Sequence, residues 1–220
     1  MIARWYRERG RQLPWDTVVV VQWDMLLMGA LEELFAALKK DELLLSGLRP
    51  VREVEDWWFW PDHGSPRDGS TKAKYRLFLE HVRDRYGYDA EPLCCLFIVA
   101  CLPRSFLDRY SDIEKPEIGF LEYKLPIYGQ IFGTRFCEGH PYRPCWPDPG
   151  SRPPSDRDQI LNAKGRGTSL ALVARELLDR GGARIFHPFY GRYPLSVRQW
   201  VSVLTERLSQ KLTGRWSLRK

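Results

Sequence analysis

Asp24 is the first residue of this chain placed to do chemistry. It closes Thr17 to Trp23 (TVVVVQW), a run rich in β-branched residues. Such a run reads as a strand buried on both faces, the arrangement of a parallel sheet flanked by helices. In open α/β sheets, ligands collect beyond the carboxyl ends of strands. A carboxylate there can hold a divalent ion, and the ion can bridge two phosphates. The bland alternative is that Asp24 caps a turn or the following helix, as Asp very commonly does. Trp57, Trp58 and Trp60 stand beside Glu55 and Asp56. Indole faces stack on sugars, and they equally fill cores. Cys137, His140 and Cys145 form C-x2-H-x4-C, but three candidate ligands without a nearby fourth do not make a structural zinc site.

The elements that must carry these residues follow from periodicity and punctuation. Residues 1–12 read as a short basic helix broken by Leu13, Pro14 and Trp15. Leu31, Leu34, Phe35 and Leu38 share one face of a helix over Leu31–Lys40. Asp62 to Ser70 is turn-rich and reads as a loop without the P-loop spacing. Thr71–Tyr86 is an amphipathic helix, and Leu93–Leu102 (LCCLFIVACL) is a second buried strand. A short helix follows over Ser105–Tyr110. Glu122–Phe132 is a helix with Pro126 as a kink or early-turn residue. Residues 137–158 are a Pro-rich irregular excursion. Thr168–Arg180 is a helix capped by Gly181 and Gly182, and Ala183–Phe186 is a strand ended by His187 and Pro188. Pro194–Leu212 is a last amphipathic helix. Strands alternating with helices give an α/β class with a mostly parallel sheet.

Val18 to Phe35 (VVVVQWDMLLMGALEELF) resembles the metal-binding segment of nucleotide-sugar glycosyltransferases with the GT-A fold. There a hydrophobic strand ends in Asp-x-Asp, and an apolar stretch, a Gly and a helix follow. Here the signature is Gln22-Trp23-Asp24, with only its second Asp present. Leu102 to Tyr110 (LPRSFLDRY) is similar to the family's Ser/Arg-containing helix near donor and acceptor. Ala183 to Pro188 (ARIFHP) is similar to its late strand ending in His-Pro. The resemblance implies sugar transfer from a nucleotide-diphosphate sugar to an unknown acceptor. It implies that Asp24 and His187 hold Mn or Mg, a role neutral imidazole suits for Mn-like ions. Gln22 and Trp23 would border the donor, with Arg104 or Lys124 meeting phosphate charge. Glu122, with Glu117 second, would be the acceptor base of an inverting enzyme, since a hydroxyl is a poor nucleophile until a carboxylate takes its proton. The family's nucleotide-binding βαβ units precede the metal strand, and only 16 residues precede Thr17 here. The expectation is a single glycosyltransferase-like domain over 1–220 that is N-terminally truncated, has lost donor binding, or is completed by a second polypeptide.

Other readings stay open. Asp112, Glu122 and Lys124 match the loose D…E-x-K order of metal-dependent nucleases, which requires a β-hairpin carrying E-x-K on its second strand. The opening WYRERGRQLPW is similar to the first helix of MutY-type adenine-DNA glycosylases, without that family's later features. A non-catalytic binding protein is the plain alternative. Composition excludes a disordered chain, a collagen and a coiled coil, with 44% hydrophobic and 28% charged residues. A net charge of +6 suits nucleic acid, an anionic membrane or a phosphorylated substrate without choosing among them. Five cysteines, two of them adjacent in an apolar run, read as reduced buried thiols. No apolar run reaches the roughly 18 residues of a membrane span, and no signal peptide is visible, so a cytoplasmic location is the default.

Overall fold

Six α-helices and eight strands build the part of the chain that the structure describes. It is a computed structural model and describes residues 2–58, 60, 69–138, 146, 160–161, 163 and 167–190. In chain order the first half holds α1 (Ile2–Glu8), β1 (Thr17–Val21), β2 (Leu26–Leu27), α2 (Leu31–Leu34), β3 (Glu42–Leu45) and β4 (Arg49–Pro50). Then come α3 (Gly69–Tyr86), β5 (Leu93–Cys94), β6 (Val99–Pro103), α4 (Arg104–Tyr110), α5 (Leu121–Ile131), β7 (Arg135–Phe136), α6 (Leu170–Leu178) and β8 (Ile185–Phe186). The expected helix over 194–212, most of the 137–158 excursion and the 62–68 loop lie outside the described residues.

The chain is mixed α/β, and its main sheet has the order β1-β6-β3-β7. β1 and β3 both run antiparallel to β6, and β3 runs parallel to β7. Two small antiparallel pairs, β2 with β8 and β4 with β5, complete the strands. The expectation of a mostly parallel sheet is therefore corrected: β3–β7 is the parallel strand pair among the described residues. A continuous apolar run says nothing about strand direction, and it does not by itself establish two covered faces. The run with two covered faces is β6, buried along its whole length, whereas β1 is half-buried with Val21 exposed. β1 is an edge strand whose Val residues fit a pleated, half-buried surface.

Local chemistry shapes the centre. β3 (ELLL) is fully buried between β6 and β7 and is too short to show an alternating pattern. The helix expected over Leu31–Lys40 is shorter, since α2 stops at Leu34 and turns follow, and the entry to β3 passes through Asp41 with a φ of 64°. The expected single strand over Leu93–Leu102 is two strands, because the backbone turns at 95–98 with Phe97 at a φ of 50°. That turn is pinned by Ser46, which is fully buried. Its Oγ accepts the amides of Ile98 at 3.0 Å and Val99 at 3.1 Å. Its backbone takes part as well, donating to Val99 and accepting from Leu96.

Helix α5 crosses this centre with Pro126 inside it. A proline has no N–H for the carbonyl four residues earlier, here that of Glu122. The Cys95 amide fills the vacancy, donating to the Glu122 carbonyl at 2.7 Å. Gly129 lets the helix approach the sheet closely, since a Cβ there would meet Leu43 at 2.9 Å and Phe136 at 2.8 Å. The main core joins these elements through Leu43, Leu44, Ile98, Leu102, Tyr123 and Tyr128.

Ser46→Ala tests the pin. It leaves two buried amides without their acceptor, at about 1–3 kcal/mol each. For a chain of this size that is a Tm loss on the order of 5–15 °C by calorimetry. The urea m-value should stay unchanged, since the surface exposed on unfolding is the same. An unchanged Tm would show that Ser46 carries none of the turn's stability.

Candidate functional site

Gln22, Trp23 and Asp24 leave the end of β1, and β8 delivers His187 to the same place. The Gln22 amide donates to the Ile98 carbonyl, carrying the β1–β6 ladder one residue past the strand. The β2–β8 pairing sets Leu26 opposite Phe186 and Leu27 opposite Ile185. The Phe189 amide donates to the Asp24 carbonyl at 2.6 Å, and the His187 amide donates to the Ile160 carbonyl at 2.7 Å. Backbone bonds thus hold both sides of the site. Asp24 and His187 are both buried.

The side chains converge on one point. His187 Nε2 lies 2.7 Å from Gln22 Oε1 and 3.3 Å from Asp24 Oδ1. Gln22 Nε2 donates to the Phe97 carbonyl at 3.3 Å, which leaves Oε1 as the accepting end of that amide. The proton on His187 Nε2 therefore points to Gln22. Asp24 Oδ1 is close to the imidazole and has no hydrogen bond, an uncommon state for a buried carboxylate oxygen. Above this cluster Trp23 is 86% exposed and Tyr190 is 41% exposed, their ring centroids 6.1 Å apart. Gly167 leaves room for the Tyr190 ring, since a Cβ there would come within 2.8 Å of it.

Arg104 and Lys124 use their charge elsewhere. Arg104 donates to the carbonyls of Trp15, Arg11 and Leu13, and its guanidinium lies 4.5 Å from the centre of the Trp15 ring. It ties the segment after α1 to the start of α4. Lys124 is buried and donates from Nζ to Pro116 O at 2.6 Å and Ile118 O at 3.1 Å. Burial lowers its pKa, with Glu117 opposing the shift. Both cations serve chain carbonyls instead of facing Asp24. The nuclease reading meets a similar obstacle. Glu122 and Lys124 lie in the first turn of helix α5, not on a hairpin strand, and exposed Asp112 pairs with Arg11 at 2.9 Å.

Glu122 sits beneath indoles. Trp60 Nε1 donates to Glu122 Oε2 at 2.7 Å. Trp60 is fully buried against Tyr75 and Tyr123, so it is core and not an acceptor wall. Trp57 and Trp58 pack edge-on with Trp146, over which Arg49 lies. Desolvation pushes the Glu122 carboxyl up to about 7, with the Trp60 and Trp58 indoles pulling the other way. Its partners are Trp60, Trp58 and, through the backbone, Cys95, none of which belongs to the Asp24 cluster. Exposed Glu117 stands apart on the loop before α5.

Among the described residues no group of three or more His, Cys, Asp or Glu side chains assembles. Cys94, Cys95 and Cys101 are buried free thiols, and burial pushes Cys101 up to about 12. Cys137 is buried too, while His140 and Cys145 lie outside the described residues. The resemblance singles out Asp24 and His187 from opposite ends of the chain. It gives no sign of Tyr190, of the Phe97 carbonyl that orients Gln22, or of Trp60 over Glu122. A Tyr three residues past His187 and a Trp next to Asp24 are the signals the sequence offers.

No protein-family model, curated protein or solved structure matches the chain.

The raised Glu122 pKa carries a pH signature. The folded carboxyl titrates near 7 and the ordinary value is 4.5, so between those values the folded chain holds a proton the unfolded chain has released. Stability from this group is greatest below about pH 4.5 and falls as pH rises through about 7. Glu122→Gln removes that dependence. In urea melts the variant gains on the wild type as pH rises from about 5 to 8, by roughly 3 kcal/mol at most. Parallel curves across that window would show that the carboxyl is not desolvated.

Proposed function

We propose that this chain transfers a glycosyl group from a nucleotide-diphosphate sugar to a hydroxyl acceptor. The observation that carries the reading is the convergence of Asp24 Oδ1 and Gln22 Oε1 on His187 Nε2, from residues 165 apart in the chain. The resemblance names the same Gln22-Trp23-Asp24 and His187 as donor-site residues. An Asp24 oxygen left without a hydrogen bond beside an imidazole suits a divalent ion such as Mn or Mg. With one carboxylate in the set, donor phosphate oxygens would complete the coordination, as Mg-type ions commonly require. Bound there, the ion supplies neutralisation of the departing diphosphate.

The residues of the chain do the rest. Asp24 supplies the negative charge of the site. His187 would hold the ion through Nε2 as a neutral imidazole, its ring proton then carried on Nδ1. Gln22, held by the Phe97 carbonyl, orients that ring. Trp23 and Tyr190 offer exposed aromatic surface to a sugar or base. The acceptor base is left unassigned, because Glu122, the residue the resemblance points to, is held under fully buried Trp60 and shares no partner with the Asp24 cluster. A second polypeptide supplying further nucleotide contacts belongs to the same proposal. Among the described residues no helix is long and apolar enough to cross a membrane.

The test is calorimetric titration with UDP-, GDP- and dTDP-sugars, with and without Mn²⁺. One donor should bind only with metal, and Asp24→Ala should abolish that binding. Turnover in Asp24→Ala should fall on the order of 10³-fold, the loss of several kcal/mol at the leaving group. His187→Ala should weaken metal-dependent binding by roughly 10–100-fold. Binding that ignores both substitutions, or no binding of any nucleotide sugar, would overturn the assignment.

A further inference from the structure

The outer edge of β1 is a second surface with a definite chemistry. In an antiparallel pair, alternate residues turn their N–H and C=O toward the partner strand and the others turn them away. The β1–β6 register fixes which are which. Arg104 N donates to Asp16 O at 2.8 Å, and Gln22 N donates to Ile98 O at 3.1 Å. Asp16 and Gln22 bracket a ladder that runs from Thr17 opposite Pro103 to Val21 opposite Val99. Val18 and Val20 therefore face β6, while Thr17, Val19 and Val21 direct their backbone groups outward. β1 ends the sheet order, so no strand among the described residues meets those groups.

Sheet edges left open in this way normally carry a Lys, a Pro or a bulge that blocks pairing. TVVVV carries none of these, and its register with β6 is unbroken. Exposed apolar side chains lie at both ends of this strand. Val21 is 40% exposed, Leu13 is 49% exposed, and Trp23 lies just beyond the strand.

We propose that two copies of this chain join through this edge, β1 running antiparallel to β1 with Val19 at the two-fold axis. The outward positions are symmetric about Val19, so the strand is complementary to its own reversed copy, as an isologous contact requires. Val19 faces Val19, and Thr17 faces Val21 of the second copy. Every outward N–H and C=O from Thr17 to Val21 then finds a partner. The same register sets Asp16 against Gln22 of the second copy, avoiding like charges, and brings exposed Trp23 toward the Trp15 end of the neighbouring strand. A parallel pairing would place Asp16 against Asp16. The two four-stranded sheets become one continuous sheet.

Sedimentation equilibrium on the full chain tests this, with a mass twice the 25.8 kDa of one copy expected. Val21→Lys adds a charge at an exposed edge position and should weaken self-association about tenfold or more, with an unchanged circular dichroism spectrum. Val19→Cys gives a test independent of stability. Facing Cα atoms of a hydrogen-bonded pair lie about 5.5 Å apart, within disulfide reach. Mild oxidation should link two copies of the Val19→Cys chain and not the wild type. A monomer at every concentration tested would overturn the proposal. So would a dimer that Val21→Lys leaves intact and that Val19→Cys does not cross-link.

Discussion

A hydroxyl with no exposed surface organises the centre of this molecule. Ser46 Oγ accepts two successive amides where the chain turns from β5 into β6. Phe97 takes a left-handed conformation immediately before them, at a cost that a fixed surrounding must offset. From that turn, contacts run in two directions. The Phe97 carbonyl receives the Gln22 side-chain amide, which in turn orients His187 beside Asp24. The Cys95 amide holds the Glu122 carbonyl, which places the carboxyl beneath Trp60. Both carboxylates of interest are thus referred to one four-residue turn.

The cations show why net charge is a poor guide here. A charge of +6 suggests an anionic partner. Yet Arg104 caps three carbonyls around the α1–β1 connection, and Lys124 caps two on the loop before α5. Arg184 donates to the carbonyls of Glu176, Asp179, Gly182 and Ala183 at the end of α6. Arg109 reaches the Phe132 carbonyl and lies over its ring. Such positions satisfy carbonyls that helix ends and loops leave open. These positive groups are structural staples, and their count says little about a ligand.

Helices were more legible than the sheet. The 3.6-residue spacing of Tyr75, Phe78, Leu79 and Val82 marked α3 closely, and the helix expected over Thr168–Arg180 is found as α6. Strand direction was not legible, because the apolar content of TVVVV and VACLP reports burial and shape but not partners. β3 escaped notice for its length, although all four of its residues are buried. At the site, the residue types of Asp24 and His187 were readable while their meeting depended on the β2–β8 pair, two residues long on each side. Arg104 and Lys124 could not be sorted from ligand-facing cations, since nothing local distinguishes a guanidinium bound for a carbonyl from one bound for a phosphate.

Pro126 has a consequence for how the chain assembles. By withholding an amide, it denies the Glu122 carbonyl its usual partner four residues on, and the Cys95 amide supplies a donor from outside the helix. An isolated α5 would carry that vacancy in its first turns, where helix nucleation is already costly. That bond joins the helix to the 95–98 turn, so opening either one uncovers a polar group of the other. A segment that reads as an autonomous helix is, through one imino acid, made dependent on a turn well upstream in the chain.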